Sequence, residues 1–347
     1  MYYLNSFLCS FITILKYNPL KIKIDNFIVS IILAILLAYL LSAFGDIQTI
    51  INLNVIAQIG VVFIFFFYGL KLDLKTIGKD LQNWKLHLLV QSTTFIVFPL
   101  IVLAFYPLIQ SNESFNTWIA FLYLAALPST VSTSVVFVSI AKGNIVAAIL
   151  NASVSGLIGI LITPLWIGLF LNNATENFDL SAIYLKLITE ILLPVCIGIL
   201  VQKLFALKSK NFVSNYSNWI KIFDKSVVVL IIFKTFQQSF SKNLFSSISL
   251  TDLGIILILS ALLFFTIYYF TKFVAQKLQF NHQDSIVLQF CGTKKSMILG
   301  TVFSKIIFPT NFSIGIILLP LMVFHTFQMI MISYFAQKYA SKNSPNT

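Results

Sequence analysis

Charge is what this sequence has least of. Only 10% of its 347 residues are Asp, Glu, Lys or Arg, where a soluble domain carries about 25%. So little polar surface excludes a water-soluble enzyme or binding module. Arginine is absent, and all 23 basic residues are lysines. With abundant Ile, Asn and Phe, that bias reflects an AT-rich coding sequence and carries no functional weight. Three cysteines, Cys9, Cys196 and Cys291, are too few and too scattered for a disulfide framework or a zinc site. No P-loop or ATP-binding cassette is present, so transport driven by nucleotide hydrolysis is excluded. No His/Cys/carboxylate spacing suits a metal enzyme, and no serine has a nucleophile-elbow context. No catalytic residue, bound metal or cofactor is expected from these patterns. The apolar stretch Leu4–Leu15 has no basic region ahead of it. It is expected to be a short interfacial segment and not a cleaved signal peptide.

Apolar residues are what the chain has, at 58%. About 20 of them in a helix cross the hydrocarbon core. Charge-free runs bounded by Lys, Asp, Asn or Pro predict ten spans, at 27–44, 51–70, 86–107, 116–141, 144–170, 181–203, 226–241, 252–271, 284–307 and 312–337. The net charge of +12 does not form a nucleic-acid patch, because the lysines lie between the spans. Seventeen of them fall in alternate segments, whereas the intervening loops hold only Lys242, with Lys186 and Lys305 near span ends. The positive-inside rule then places both termini in the cytoplasm of a multi-pass protein of the inner or plasma membrane. Its partners are the lipid bilayer and a small solute, with no nucleic acid. A homo-oligomer stays open, since no GxxxG-type packing motif is evident.

Span five contains Ile158-Gly-Ile-Leu-Ile-Thr-Pro-Leu-Trp166, and span ten contains Ile314-Gly-Ile-Ile-Leu-Leu-Pro-Leu-Met322. Gly and Pro match in register, at Gly159 and Gly315 and at Pro164 and Pro320. Five spans per half is odd, so the halves must insert with opposite orientation, an inverted repeat common among secondary transporters. The expected organisation is an N-terminal segment 1–26, repeats 27–170 and 171–338, and a tail 339–347. Spans four and nine then correspond, and both are interrupted. Pro128 removes a backbone donor in Leu127-Pro-Ser-Thr-Val-Ser-Thr-Ser134, and Gly292 relaxes the backbone of Phe290-Cys-Gly-Thr-Lys-Lys-Ser-Met297. Matching interruptions point to a mid-membrane binding site.

Residues at the two interruptions carry the candidate chemistry. The hydroxyls of Ser129, Thr130, Ser132, Thr133 and Ser134 can ligate Na⁺ or hydrogen-bond a carboxylate or sulfate, or else bond their own helix carbonyls. A lysine at the bilayer centre costs about 3 kcal/mol or more. Lys294 and Lys295 therefore mark an anion pathway or stand in for a coupling cation, unless they snorkel toward the cytoplasm. Cys291, Gly292, Thr293 and Ser296 flank them. Glu190 and Lys234, the other intramembrane charges, are expected to pair, with proton coupling as the second reading. His325 and Gln328, one turn apart, line a cavity or make interhelical hydrogen bonds. Asn151, Ser153 and Ser155 line the crossing or are small packing positions. His87 and His282 are expected at solvated cytoplasmic ends.

Six segments together resemble a known family. They are Phe65-Phe-Phe-Tyr-Gly-Leu-Lys71, Asn83-Trp-Lys-Leu-His-Leu88, Leu127-Pro-Ser-Thr-Val-Ser132, Ala141-Lys-Gly-Asn144, Phe290-Cys-Gly-Thr-Lys-Lys-Ser296 and Leu319-Pro-Leu-Met-Val-Phe-His325. From about residue 27 to 340 the chain resembles the SBF-like branch of the bile acid:sodium symporter superfamily. The resemblance implies an all-α fold of ten transmembrane helices in two inverted five-helix repeats. A core of spans three to five and eight to ten would move against a panel of spans one, two, six and seven. It implies secondary transport of a small organic anion by alternating access, with sodium as a candidate coupling ion and a proton or no coupling ion left open. A membrane regulator of ion homeostasis that keeps the fold without net transport is the alternative. Better-studied branches bind two sodium ions through hydroxyl and amide groups of spans four and five and a Glu and Gln in span nine. Here Lys294 and Lys295 occupy that break, and Ala148 and Ala152 replace expected hydroxyl ligands. An ammonium in place of a bound sodium is the expectation.

Overall fold

The computed structural model describes residues 26–42, 53–71, 83–109, 111–171, 180–205, 212–241, 249–308 and 312–342. The expected interfacial segment Leu4–Leu15 lies outside them. The described residues form helices and no strand. Helix falls on every expected span. The first three hold α1 (Asn26–Ser42), α2 (Leu53–Lys71) and α3 (Trp84–Leu103). Span four is two helices, α4 (Asn112–Ala126) and α5 (Val131–Ile140), followed by α6 (Ile145–Leu171). Then come α7 (Ser181–Leu204), α8 (Ser217–Ser241) and α9 (Leu250–Lys277). Span nine is again two helices, α10 (His282–Thr293) and α11 (Met297–Ile307), and α12 (Ile314–Lys342) closes the fold.

Five of these, α3, α6, α7, α9 and α12, are long and apolar enough to cross a membrane. The outer faces are apolar too. Leu33, Leu36 and Leu40 of α1 and Leu257, Ile258 and Leu262 of α9 point away from the protein. Such a surface is stable against lipid and not against water. This is a multi-pass membrane protein.

Span seven starts nine residues earlier than charge alone suggests. Lys221, Asp224 and Lys225 end the apolar run without ending the helix, because Lys71 pairs with Asp224 at 3.3 Å and Lys225 sits 5.2 Å from the centre of the Phe27 ring. A charge stops an apolar run; it does not stop a helix.

The two interruptions have different causes. Leu127 is extended (φ −69°, ψ 150°), as a residue before proline must be, and α4 ends there. In span nine the break falls at Lys294–Ser296 and not at Gly292, which stays within α10. Ser296 sets the break from the far side: its hydroxyl accepts from Leu299 N–H at 3.2 Å and caps α11.

The helices pack in two groups. α1 lies on α8 and α2 on α7, with α2 also touching α8. Gly69 of α2 and Gly198 of α7 let these backbones meet: a Cβ on Gly198 would lie 2.3 Å from the Phe66 carbonyl oxygen. The other eight helices form the second group, with α4 against α12, α9 against α10 and α12, and α6 against α4 and α5. One end of this group is clamped by Asp284. Its carboxylate accepts from Asn83 at 2.9 Å, Asn144 at 2.9 Å and Asn281 at 2.8 Å. The start of α3, the α5–α6 turn and the start of α10 are thereby tied at what the sequence makes the lysine-rich side.

Candidate functional site

Where α4 and α10 stop, each leaves main-chain carbonyls without helical partners. In hydrocarbon every one of them must find a donor within the protein. Four consecutive carbonyls at the α4 break do so. Thr163 donates to Ala126 at 2.8 Å, and Ser296 N–H donates to Pro128 at 2.9 Å. The other two, Ala125 and Leu127, both accept from the Lys295 ammonium, Leu127 at 2.9 Å. Its third N–H reaches the carbonyl of Thr94 at 2.8 Å. That acceptor lies in a π-turn of α3, Thr93–Val97.

Lys295 is therefore saturated. Its three donors face three main-chain oxygens, and the Phe98 ring lies 4.1 Å away on another side. The C-terminal end of α4 carries the negative pole of its dipole, so a cation is favoured there. A buried ammonium held by oxygens alone is an ion site with the ion attached to the chain.

Lys294 is equally buried but differently served. Its ammonium donates to the Thr133 hydroxyl and lies 4.8 Å from the centre of the Phe137 ring. Cys291 is beside it, with Ser134 buried next to Cys291. Thr133 belongs to the first turn of α5, where the helix dipole presents its positive end. Ammonium and helix start together attract an anion.

Gln328 of α12 stands in for missing helical partners. Its Oε1 accepts from Lys295 N–H at 2.9 Å, and its Nε2 donates to the Lys295 carbonyl at 2.8 Å. The same amide meets His325 Nδ1 at 2.9 Å. Thr130 adds a second donor to the Lys295 carbonyl at 3.1 Å, and Ser129 joins the Cys291 carbonyl at 2.8 Å. The Ser129 N–H, freed by the break, goes to the Ser155 hydroxyl at 2.9 Å. Thr293 turns back on its own helix, donating to Gln289. The two unwound segments are stitched to each other and to α6 and α12.

The expected residues thus divide. Ser129, Thr130, Thr133, Ser134, Cys291, Thr293, Lys294, Lys295, Ser296, Gln328 and, through Gln328, His325 belong to one constellation. Ser132 lies on α5, and its side chain is outside the described residues. Asn151 faces α3 instead: its amide donates to Ala147 at 2.9 Å and accepts from Gln91 at 3.3 Å. Ser153 offers its carbonyl to Tyr68 of α2 at 2.7 Å. Glu190 and Lys234 do not close to a direct ion pair. Among the described residues the one ion pair within 4 Å is Lys71–Asp224. Both charges instead stand around Lys305 of α11. Thr94 and Gln91 were not among the expected residues; Thr94 acts through a main-chain carbonyl in a π-turn, which has no residue-type signature.

Known proteins resemble this chain over nearly its whole length. The family model for the SBF-like CPA transporter family (DUF4137) matches residues 25–341. The chain is 32% identical to "Putative symporter YfeH" of Escherichia coli strain K12, over 91% of this chain and 93% of that protein. It is 32% identical to "Uncharacterized protein PA2026" of Pseudomonas aeruginosa, over 92% of this chain and 93% of the relative. To "Sodium/bile acid cotransporter 7" of Rattus norvegicus it is 29% identical, over 80% of each chain.

Proposed function

The chain belongs to the SBF-like CPA transporter family, and from that premise we propose that it moves a small organic anion across the cell membrane by alternating access. It is a transporter and not an enzyme. In this reading all ten spans cross the membrane, the termini are cytoplasmic, and the halves are inverted repeats. The packing supports the repeat. If spans one and two correspond to six and seven, exchanging halves turns the α1–α8 contact into the α7–α2 contact, and both exist. Pro164 and Pro320 likewise both lie inside long helices, α6 and α12. The four-helix group acts as the panel and the eight-helix group as the core.

One observation carries the proposal: a lysine ammonium caps three main-chain carbonyls at the crossing. A free sodium ion does not fit that cage, because its oxygens are already taken by Lys295. Lys295 is the fixed cation, and Lys294 with the start of α5 receives the substrate's negative charge. The apolar body of the substrate has room in a cavity of about 400 Å³ between α1 and the core. Ile31 and Ile35 line it from α1, Met297 from α11, and Met322 and His325 from α12. Uptake or counterflow of labelled organic anions into proteoliposomes tests the reading. The expected result is saturable transport that persists when choline replaces sodium and is lost in Lys294→Met. Strict dependence on sodium would remove the fixed-cation mechanism, and failure of a broad anion panel would remove the transport reading.

A further inference from the structure

α9 packs on α10 and α12 and meets α3 at the π-turn Thr93–Val97. Between α9, the last turns of α3 and α4 lies a second cavity, of about 620 Å³. Pockets that hold small ligands span about 300–1,000 Å³. Its walls are apolar: Val102 from α3, Phe121 from α4, Ile256 and Leu263 from α9, and Pro320 from α12. Ile255, Leu259 and Leu262 also line it and are exposed on the outer face of α9, so the cavity opens sideways toward the bilayer.

One end is polar. Ser111 and Ser114 stand there at the start of α4, and Asp252 at the start of α9. This is the end away from the Asp284 clamp, since α9 runs from here to the turn that precedes α10. Exposed Tyr106 lies 4.9 Å from Trp118, ring centre to ring centre, at the same end, as aromatic residues do at a membrane–water boundary. Asp252 is the only charged residue lining the cavity. Both of its bonds, from the Ser249 N–H and hydroxyl at 2.8 Å each, fall on Oδ2. Among the described residues nothing donates to Oδ1. Thr266 lines the cavity too, and from Asp252 to Thr266 α9 rises about 21 Å. The hydrocarbon of one leaflet is about 15 Å deep, so the apolar walls run the depth of a leaflet beneath a carboxylate at headgroup level.

We propose that this cavity holds one acyl chain of a phospholipid whose headgroup carries a primary ammonium, as in phosphatidylethanolamine, with the ammonium on Asp252. Charge selects the headgroup. An open carboxylate oxygen accepts from an ammonium and repels an anionic head, and a choline head has no N–H to donate. The sideways opening and the depth select a bilayer lipid as the source. The lipid braces the crossing from outside. Phe121 is one turn before Ala125, whose carbonyl accepts from Lys295, and Pro320 is five residues before His325 on α12.

Native mass spectrometry tests this without any transported solute, so its result is independent of the organic-anion reading. Full-length protein is reconstituted in nanodiscs of phosphatidylcholine, phosphatidylglycerol and phosphatidylethanolamine in equal parts, extracted in mild detergent, and its retained lipids are identified. Asp252→Asn keeps an oxygen for the Ser249 bonds but loses the charge, and Ala120→Phe fills the cavity from α4. The expected result is one phosphatidylethanolamine retained at least fivefold more by wild type than by either variant. Asp252→Asn should retain the other two lipids as wild type does. Phosphatidylethanolamine retained equally by wild type and Asp252→Asn overturns the proposal, and so does an equal loss of all three lipids in that variant. Undiminished retention in a folded Ala120→Phe places the lipid elsewhere and overturns it as well. Should Ala120→Phe fail to fold, the Asp252→Asn comparison decides.

Discussion

Lys294 and Lys295 are neighbours of the same type, both fully buried, and their surroundings assign them different work. Lys295 gives all three N–H groups to carbonyls of Thr94, Ala125 and Leu127. An unsatisfied buried acceptor costs about 1–3 kcal/mol. Relief of burying a charge offsets part of that loss, so Lys295→Met should lower stability by about 3 kcal/mol, read from the unfolding midpoint in detergent. Lys294→Met loses one hydroxyl contact and should unfold within about 1 kcal/mol of wild type while transport fails. The reverse pattern of stability loss would exchange the two roles. Lys295→Ala offers a sharper check, since it empties the cage and leaves its oxygens in place. Sodium should then stabilise the variant over choline while leaving wild type unmoved. The sequence marks both lysines as costly but cannot rank them, because the deciding partners are main-chain oxygens some 170 to 200 residues away.

At the scale of elements, the reading from sequence succeeds where a residue type dictates backbone geometry. Pro128 forces its break, and the end of α4 was legible from it. Gly292 permits bending without requiring it, and the chain breaks two residues later, where Ser296 can cap α11 and Gln328 can serve the Lys295 peptide. The extra turns of α8 were hidden for a related reason, since their charges are answered by Lys71 and Phe27 from other helices. Close helix contacts were equally invisible. Gly69 and Gly198 are on different helices and form no local motif, yet they set the spacing of α2 and α7. Gly198→Ala would place a methyl 2.3 Å from the Phe66 carbonyl oxygen, and overpacking of this kind costs about 1–3 kcal/mol. Gly254→Ala on α9 meets nothing within 4 Å and should be neutral or stabilising by up to about 1 kcal/mol, from helix propensity alone. Chemical-denaturation midpoints of the two variants compare them directly, and an indifferent Gly198→Ala would mean that α2 and α7 separate at no cost.

For the whole molecule, lysine placement made the spans legible, and it did so because membrane insertion reads the same signal. Which spans pack together came from the family resemblance and not from the apolar faces, which look alike toward lipid and toward protein. The fixed-cation mechanism also has an electrical consequence. If Lys295 replaces a coupling ion, each cycle carries the substrate's negative charge uncompensated. Anion uptake into proteoliposomes should then rise when a potassium gradient with valinomycin makes the interior positive, and fall when it is reversed. Uptake indifferent to voltage would require a co-transported proton or cation.

The carbonyl cage also orders events at the ribosome. Its oxygens at Thr94, Ala125 and Leu127 are made well before the ammonium that fills it, by roughly eight to forty seconds at ordinary elongation rates. Two adjacent lysines add about 5–7 kcal/mol to the cost of inserting the segment that bears them, and its one carboxylate, Asp284, lies at the far end of α10 and is held by Asn83, Asn144 and Asn281. The first half of the chain is thus a receptor awaiting the second. A second half synthesised alone should leave the segment around Lys295 outside the bilayer, where a glycosylation or cysteine-labelling tag would find it.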